Sequence, residues 1–389
     1  MTRDIRLLTL SLFTWGIGEG LFFYFQPIYL AELGADPIQI GLILGLAGAA
    51  TVLTHVPAGA ISDRWGPKSV IVASWVLGML AAWIMFLAPS LGWFVAGLVM
   101  YYLTLFVMSP LSAFITASRG NWTTSRALTT VFSAFNLGVI IGPAAGGWLA
   151  ESLGLRSVFA ISASIFVVST VFALALRPQV PEEVEVDRGY RGLLTQPRLI
   201  GYLGLVLVSL FAMYLSWPLT PNFLTVTRGV ALTQIGIFGS VNALGVVVLN
   251  LTVGRTRPRI GLIVVQGLVA LSALSLWRGQ GLVWYGVGYW LAGGFKTGMS
   301  LYVGHAESLV SAKQLGFFYG LVETAIGTAM VLAAPAAGLL YNLQAWLPYP
   351  ASLALLAVSL ILTLRFLPSA RHTHGLAASG AAAPTQRSP

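Results

Sequence analysis

The chain has 389 residues, of which 57% are hydrophobic and only 8% are charged, whereas roughly a quarter of the residues of an ordinary soluble domain are charged. This composition excludes a water-soluble fold and indicates that the lipid bilayer is the solvent. The absence of cysteine excludes disulfides and thiolate chemistry. The net charge of +9 comes from cations scattered between apolar stretches, so it does not indicate a nucleic-acid-binding face.

Apolar stretches recur along the chain with short polar breaks, and each is close to the ~20 residues needed to cross a hydrocarbon core. We predict an all-α polytopic membrane protein of about twelve transmembrane helices in two pseudo-symmetric six-helix bundles. The predicted spans of the first half are 7–30, 38–61, 70–88, 91–117, 125–150 and 155–177. Those of the second half are 199–226, 232–254, 260–277, 281–303, 315–341 and 346–367.

Composition divides the chain into four regions. Residues 1–177 form the first predicted bundle, and 199–368 form the second. Between them, 178–198 is acidic and then basic, which is typical of a solvated cytoplasmic linker. Residues 369–389 are rich in Ala, Gly, Ser and Pro without periodicity, so we expect a disordered cytoplasmic tail.

The positions of the cations predict the topology. With the N-terminus in the cytoplasm, only Arg156, Arg228 and Arg278 fall outside, and Lys296 lies within a span. All other Lys and Arg residues are then cytoplasmic, as the positive-inside rule requires. We therefore predict a multi-pass protein of the cell inner (plasma) membrane with both termini in the cytoplasm.

The two halves repeat each other. Pro27–Leu30 and Gln39–Gly41 are echoed by Pro221–Leu224 and Gln234–Gly236, about 195 residues later. Because six predicted spans separate the copies, the repeat is parallel, with its axis along the membrane normal. Two bundles of this kind can rock about a shared site at the midplane.

Few ionisable residues lie within the predicted spans, and each is costly there. Glu19 lies midway along the first span. Removal of a carboxylate from water favours its protonated form, so Glu19 is a candidate for proton coupling; the alternative is a buried acid that is only hydrogen-bonded. Tyr24 and Gln26 follow on the same helix and are candidates for a substrate cavity or for helix packing.

Lys296 and Glu323 lie in the tenth and eleventh spans, toward the cytoplasmic side. They are candidates for a buried ion pair, which either is structural or breaks during a functional cycle. Further cavity candidates are the amides Asn136 and Asn242, and Trp217 and Asn222 of the seventh span, where two prolines predict a broken helix. Packing between helices is the alternative for each of them.

The segment between the second and third spans reads GAISDRWGPK at residues 59–68. It resembles the loop Gly-x-x-x-Asp-Arg-x-Gly-Arg-Lys of the major facilitator superfamily. Gly59, Asp63, Arg64, Gly66 and Lys68 match, while a proline replaces one basic residue. The resemblance implies a twelve-helix transporter fold in which Asp63 helps to latch the cytoplasmic ends of the bundles. A tight turn that only caps helices is the alternative.

The fifth span resembles the Gly-x-x-x-Gly-Pro-x-x-Gly-Gly signature of exporters in that superfamily. The matching residues are Gly138, Gly142, Pro143, Gly146 and Gly147. The resemblance implies a helix at the interface between halves and favours export, whereas small-residue packing of any membrane helix is the alternative. The arginine that drug/proton antiporters of this type carry in the fourth span is absent, which puts coupling at that position in doubt.

Together these observations predict a secondary active transporter of a small solute that works by alternating access, with proton-coupled efflux as the expected mode. A proton-coupled importer of a sugar or other nutrient, and a non-transporting membrane sensor or assembly protein, are the alternatives. The sequence shows neither a phosphate-binding loop nor a His-Glu-x-x-His pair, so we expect no enzyme activity, no cofactor and no metal. The expected partners are the solute, protons and the bilayer, without nucleic acid, and the expected state is a monomer.

Overall fold

The computed structural model describes residues 1–178, 196–310 and 314–367, without the side chains of 53–65, 109, 315 and 316. These parts of the chain are helical and contain no β-strand. The α-helices are α1 (Arg3–Phe23), α2 (Gln26–Glu32), α3 (Pro37–Trp65), α4 (Pro67–Leu87), α5 (Leu91–Leu103), α6 (Met108–Ser118), α7 (Thr124–Leu153), α8 (Leu155–Leu174), α9 (Pro197–Tyr214), α10 (Thr220–Asn222), α11 (Leu232–Thr252), α12 (Pro258–Arg278), α13 (Leu282–Ala292), α14 (Gly294–Ala306), α15 (Leu315–Leu343) and α16 (Pro348–Phe366).

Among the described residues, eight helices are long and apolar enough to cross a bilayer, or up to ten if each of two bent pairs is one span. One bent pair is α1 with α2, at 45°; the other is α5 with its continuation into α6, at 42°. The prediction of an all-α polytopic membrane protein is therefore confirmed. Almost all of the predicted linker and tail lies outside the described residues.

Four of the predicted spans are interrupted. The first breaks between α1 and α2, and the seventh breaks between α9 and α10, where a π-helical turn follows. The seventh break confirms the prediction made from its prolines, which supply no N–H to the helix. The fourth span contains a 3₁₀ turn followed by Pro110, which also supplies no N–H to the helix. The tenth span divides at Gly293 without a proline nearby.

The molecule has two ends that differ in packing. We call the end that holds the N-terminus, Gly66 and Gly120 the near face, and the end that holds Gly34, Gly154 and Gly281 the far face. One apolar core joins the first half (residues 1–178) to the far-face ends of the second-half helices. A separate core contains only second-half residues, toward the near face. Among the described residues, the halves thus share one apolar core at the far face, whereas the near-face core is confined to the second half.

Glycines let the halves approach closely at the far face. A Cβ atom added to Gly147 of α7 would lie 2.6 Å from the carbonyl oxygen of Leu232 in α11. Similarly, a Cβ atom on Gly41 of α3 would lie 2.5 Å from the carbonyl oxygen of Ala334 in α15. At both places backbone packs on backbone, as small residues allow between membrane helices.

The fifth-span motif serves two contacts. Gly138, Gly142 and Gly146 lie against backbone of α1, within the first half. Gly147 instead lies against α11, in the second half, and Pro143 contacts both Gly20 of α1 and Gly236 of α11. The motif therefore fixes α1 to α7 with one face and joins the halves with the other.

The Gly146→Ala substitution should destabilise the protein, because its methyl group would collide with the carbonyl of Leu21. Overpacking of this kind typically costs about 1–3 kcal/mol. The measurement is thermal unfolding of the purified protein in detergent. Gly204→Ala is the matched control, since no other atom lies within 4 Å of the added methyl group; an equal loss in both variants would contradict the packing argument.

Candidate functional site

A cavity of about 330 Å³ lies between the two halves. Its wall includes six residues singled out in the sequence, Glu19, Tyr24, Asn136, Trp217, Asn242 and Lys296, and also the hydroxyl residues Ser216 and Ser272. Most of the remaining wall is apolar or aromatic, including Phe23, Phe135, Tyr214 and Phe295. Its volume lies within the range of small-molecule sites, and so does the combination of an apolar wall with a few polar groups.

Helix breaks position three of these side chains. Tyr24 lies between α1 and α2, Trp217 lies between α9 and α10, and Lys296 follows the joint between α13 and α14. Irregular backbone at membrane depth is tolerated where protein buries it or where it lines a cavity. The helix breaks are therefore located at the cavity, where they place Tyr24, Trp217 and Lys296 in its wall.

Glu19 lies among glycines of α1 that pack against neighbouring helices. Gly16 and Gly20 contact backbone of α7, and Gly18 contacts Phe166. The carboxylate points the other way and accepts a hydrogen bond of 2.8 Å from the hydroxyl of Tyr101. Sequence reasoning missed Tyr101, because no local signal connects residues 82 positions apart.

Lys296 brings a positive charge to the cavity from the second half. Its side chain is solvent-exposed, and its charge interacts with those of Glu19 and Glu323. A neighbouring cavity of about 290 Å³ also has Glu19 and Lys296 in its wall. The two opposite charges therefore lie in the walls of both cavities. The predicted pairing of Lys296 with Glu323 stays a prediction.

A hydrogen-bonded aromatic cluster crosses between the halves at the cavity. The Tyr24 hydroxyl donates to Oδ1 of Asn242 at 2.9 Å, and Nδ2 of Asn242 donates to the carbonyl of Tyr289 at 2.6 Å. The Trp217 ring lies 5.0 Å from that of Tyr289 and 6.4 Å from that of Tyr24. This cluster of Tyr24, Trp217, Asn242 and Tyr289 links four spans, the first, seventh, eighth and tenth, around one buried amide.

Two predicted cavity residues lie outside this wall. Nδ2 of Asn222 donates to the carbonyl of Pro27 at 2.9 Å, which ties α10 to α2. Gln26 accepts a hydrogen bond of 3.1 Å from the hydroxyl of Tyr102. Both side chains are buried.

The predicted cytoplasmic gate is described only in part. Gly59, Asp63 and Arg64 lie at the end of α3, but their side chains are outside the described residues. Gly66 makes the turn into α4 with a φ of 79°, a conformation that favours glycine. Lys68 follows in the first turn of α4, so its role stays a prediction.

Glu151 makes a further contact between the halves that the sequence did not indicate. Its carboxylate accepts a hydrogen bond of 2.9 Å from the backbone N–H of Thr233, at the start of α11. The helix N-terminus has unsatisfied N–H groups and a partial positive charge, which a carboxylate complements. Glu151 of the first half thus caps a helix of the second.

Residues 8–205 match the family model described as Major Facilitator Superfamily. Because this match covers more than half of the chain, the protein belongs to the major facilitator superfamily. The family consists of membrane transporters and not of enzymes, as the sequence resemblance implied.

Named relatives include efflux proteins. The multidrug resistance protein MdtG of Klebsiella pneumoniae is 25% identical over 276 residues, which are 67% of this chain and 66% of that protein. A homolog of the multi-drug resistance efflux pump PmrA in Lactococcus lactis is 26% identical over 177 residues, 44% of each chain. An uncharacterised MFS-type transporter of Methanocaldococcus jannaschii is 28% identical over 160 residues, 41% of this chain and 42% of that one. The last two matches span less than half the length of either relative.

Solved structures show the same fold at low sequence identity. A variant of the nucleoside transporter NupG superposes with a TM-score of 0.80 at 13% identity, covering 94% of this chain and 99% of that one. A bacterial homolog of the human lysosomal transporter Spinster gives a TM-score of 0.69 at 15% identity, covering 93% of each.

The hydrogen bond between Tyr24 and Asn242 should contribute to stability. Tyr24→Phe leaves a buried amide oxygen without its donor, which typically costs about 1–3 kcal/mol. Thermal unfolding in detergent measures the loss. Tyr289→Phe is the matched control, because its buried hydroxyl has no hydrogen-bond partner among the described residues; the argument fails if both variants unfold at the wild-type temperature.

Proposed function

We propose that this protein is a secondary active transporter of a small solute that works by alternating access and couples efflux to protons. Joining the helices on either side of each interruption gives twelve spans, six in residues 1–177 and six in 199–368. The observation that carries the proposal is the cavity between the halves, whose wall contains Glu19 from one half and Lys296 from the other. A solute bound there contacts both moving parts at once.

The packing of the two faces supports the direction of opening in this state. The shared core and the glycine contacts close the far face, while the described residues of the near face form no core common to both halves. With the positive-inside topology, the near face is cytoplasmic and the cavity opens inward. The alternative state breaks the far-face contacts and brings the near-face ends together, where Asp63 then acts as a latch.

Glu19 is the proposed coupling group. It is a carboxylate in an apolar span, it accepts a hydrogen bond from Tyr101, and it lines the cavity. Such a group can exchange its proton with whichever side the cavity faces. The absence of a charged residue between Gly92 and Ser118 leaves Glu19 as the acid best placed for this role.

Outward transport is supported by the names of the efflux relatives and by the fifth-span motif. We place the protein in the inner (plasma) membrane with both termini in the cytoplasm. One chain contains both halves, so a monomer suffices. Its partners are then the solute, protons and lipid.

Glu19→Gln should fold normally and lose proton-driven flux, because the amide cannot carry a proton. The measurement uses purified protein in liposomes with an imposed pH gradient, and lipophilic cations and sugars as first solutes. Glu32→Gln, an exposed carboxylate on α2, is the control and should keep full flux. Unchanged flux in Glu19→Gln would remove this residue from coupling; inward flux would establish an importer, and no movement of any solute would favour a sensor.

Glu151→Ala should shift the protein toward the outward-open state, because α11 loses a cap that the first half provides. The chain has no cysteine, so Asn136→Cys in the cavity wall is a single reporter. Labelling of Asn136→Cys by a membrane-impermeant maleimide from the far face should rise severalfold when Glu151→Ala is added. Glu32→Ala on the same face should have no effect, and equal labelling in all three backgrounds would exclude Glu151 from the far-face closure.

A further inference from the structure

The charges of the cavity are divided between the two halves. Glu19 projects from α1 of the first half, and Lys296 projects from α14 of the second. Both line the 330 Å³ cavity and also the neighbouring one. A solute at their junction therefore meets a negative group on one side and a positive group on the other.

Neither charge is fully satisfied by the protein in this state. Glu19 accepts a hydrogen bond from Tyr101 through one of its oxygens. Within the described ranges, the Lys296 ammonium donates no hydrogen bond, and no carboxylate oxygen lies within the 4.0 Å of a salt bridge. The two groups interact electrostatically without forming a direct ion pair, and both line the cavity.

A solute with a single charge fits this arrangement poorly. A cation can pair with Glu19 but is repelled by Lys296, and an anion has the opposite problem. Burying a charge without its partner is costly. A zwitterion with separated charges satisfies both groups at once and adds no net charge to the cavity.

The rest of the wall indicates the body of the solute. Phe135, Tyr214, Trp217 and Phe295 border the same cavity. Aromatic rings favour contact with apolar or aromatic groups, and ring faces also favour an ammonium group. The cavity thus combines two charged ends with an apolar middle.

We propose that the solute is a zwitterion of the amino-acid type with an apolar or aromatic body, whose ammonium binds Glu19 and whose carboxylate binds Lys296. This inference rests on the proposed transport function and specifies its substrate class. Because the two anchors belong to different halves, such a solute bridges them. Its ammonium and the coupling proton compete for the same carboxylate.

Three probes of one shape test the charge requirement: L-phenylalanine, 2-phenylethylamine and 3-phenylpropionate. Binding to the wild-type protein in detergent is measured by calorimetry and by thermal stabilisation. We expect phenylalanine to bind roughly tenfold or more tightly than either singly charged probe, because each of these leaves one cavity charge unpaired. The dipeptide phenylalanyl-phenylalanine extends the series to a longer zwitterion.

Two variants should change which of the three probes binds most tightly. Lys296→Gln should favour 2-phenylethylamine, and Glu19→Gln should favour 3-phenylpropionate, whereas Glu32→Gln should keep the wild-type order. If a variant fails to fold, the probe series on the wild-type protein decides alone. The proposal is overturned if a singly charged probe binds as tightly as phenylalanine, or if neither zwitterion binds at millimolar concentration.

Measurements of binding and of flux distinguish a failure of this proposal from a failure of the proposed transport function. Selective binding of a zwitterion without counterflow in liposomes would overturn transport and leave the ligand class standing. Counterflow of a lipophilic cation without binding of either zwitterion would overturn the ligand class and leave transport standing.

Discussion

The structure depends on backbone packing at two places related by the internal repeat. Gly236 of α11 lies against Pro143 and Gly147 of α7, and Gly41 of α3 lies against Ala334, Pro335 and Gly338 of α15. The repeat that aligns Gln39–Gly41 with Gln234–Gly236 relates these two contacts. Without a side chain at either glycine, helices from opposite halves meet along their backbones. The shared far-face core and the cavity between the halves follow from these approaches.

The two copies of the repeat make similar backbone contacts, but the N-terminal caps of α3 and α11 differ. At the start of α3, Asp36 and Gln39 exchange hydrogen bonds of 2.8 and 3.0 Å in a capping box. At the start of α11, Ala231 replaces the acid, and only the Gln234 side chain still caps the backbone, at 3.2 Å. Glu151 supplies the missing carboxylate from the other half. The N-terminal cap of α3 is therefore formed within the first half. The N-terminal cap of α11, in the second half, includes a carboxylate from the first half.

Sequence reasoning singled out several residues that line the cavity, although Lys296 only as a candidate for an ion pair, because charged and amide groups are costly in apolar spans. Glu19, Asn242 and Lys296 stand out for that reason, and the structure brings them to one wall. Sequence reasoning could not locate Tyr101, because this residue contacts Glu19 only in the folded protein.

The spacing of small residues also does not predict which helix each of them contacts. Gly146 and Gly147 are adjacent and chemically identical, yet one contacts α1 in its own half and the other contacts α11 in the opposite half. The division of the tenth span at Gly293 had no signal beyond glycine itself. In the seventh span, by contrast, Pro218 and Pro221 made the break predictable, because a missing N–H is a local property.

The hydrogen bonds between the halves are suited to an interface that opens. Tyr24 with Asn242 and Asn222 with Pro27 are buried contacts across it, and a hydrogen bond of this kind contributes only about 0.5–1.5 kcal/mol net. Glycine backbone contacts add packing without interlocking side chains, so they can separate without rotamer changes. The two charged groups of the cavity wall, Glu19 and Lys296, form no direct ion pair that would hold the halves together. In the proposed alternating-access cycle, these polar contacts are therefore small contributions beside the shared apolar core of the far face.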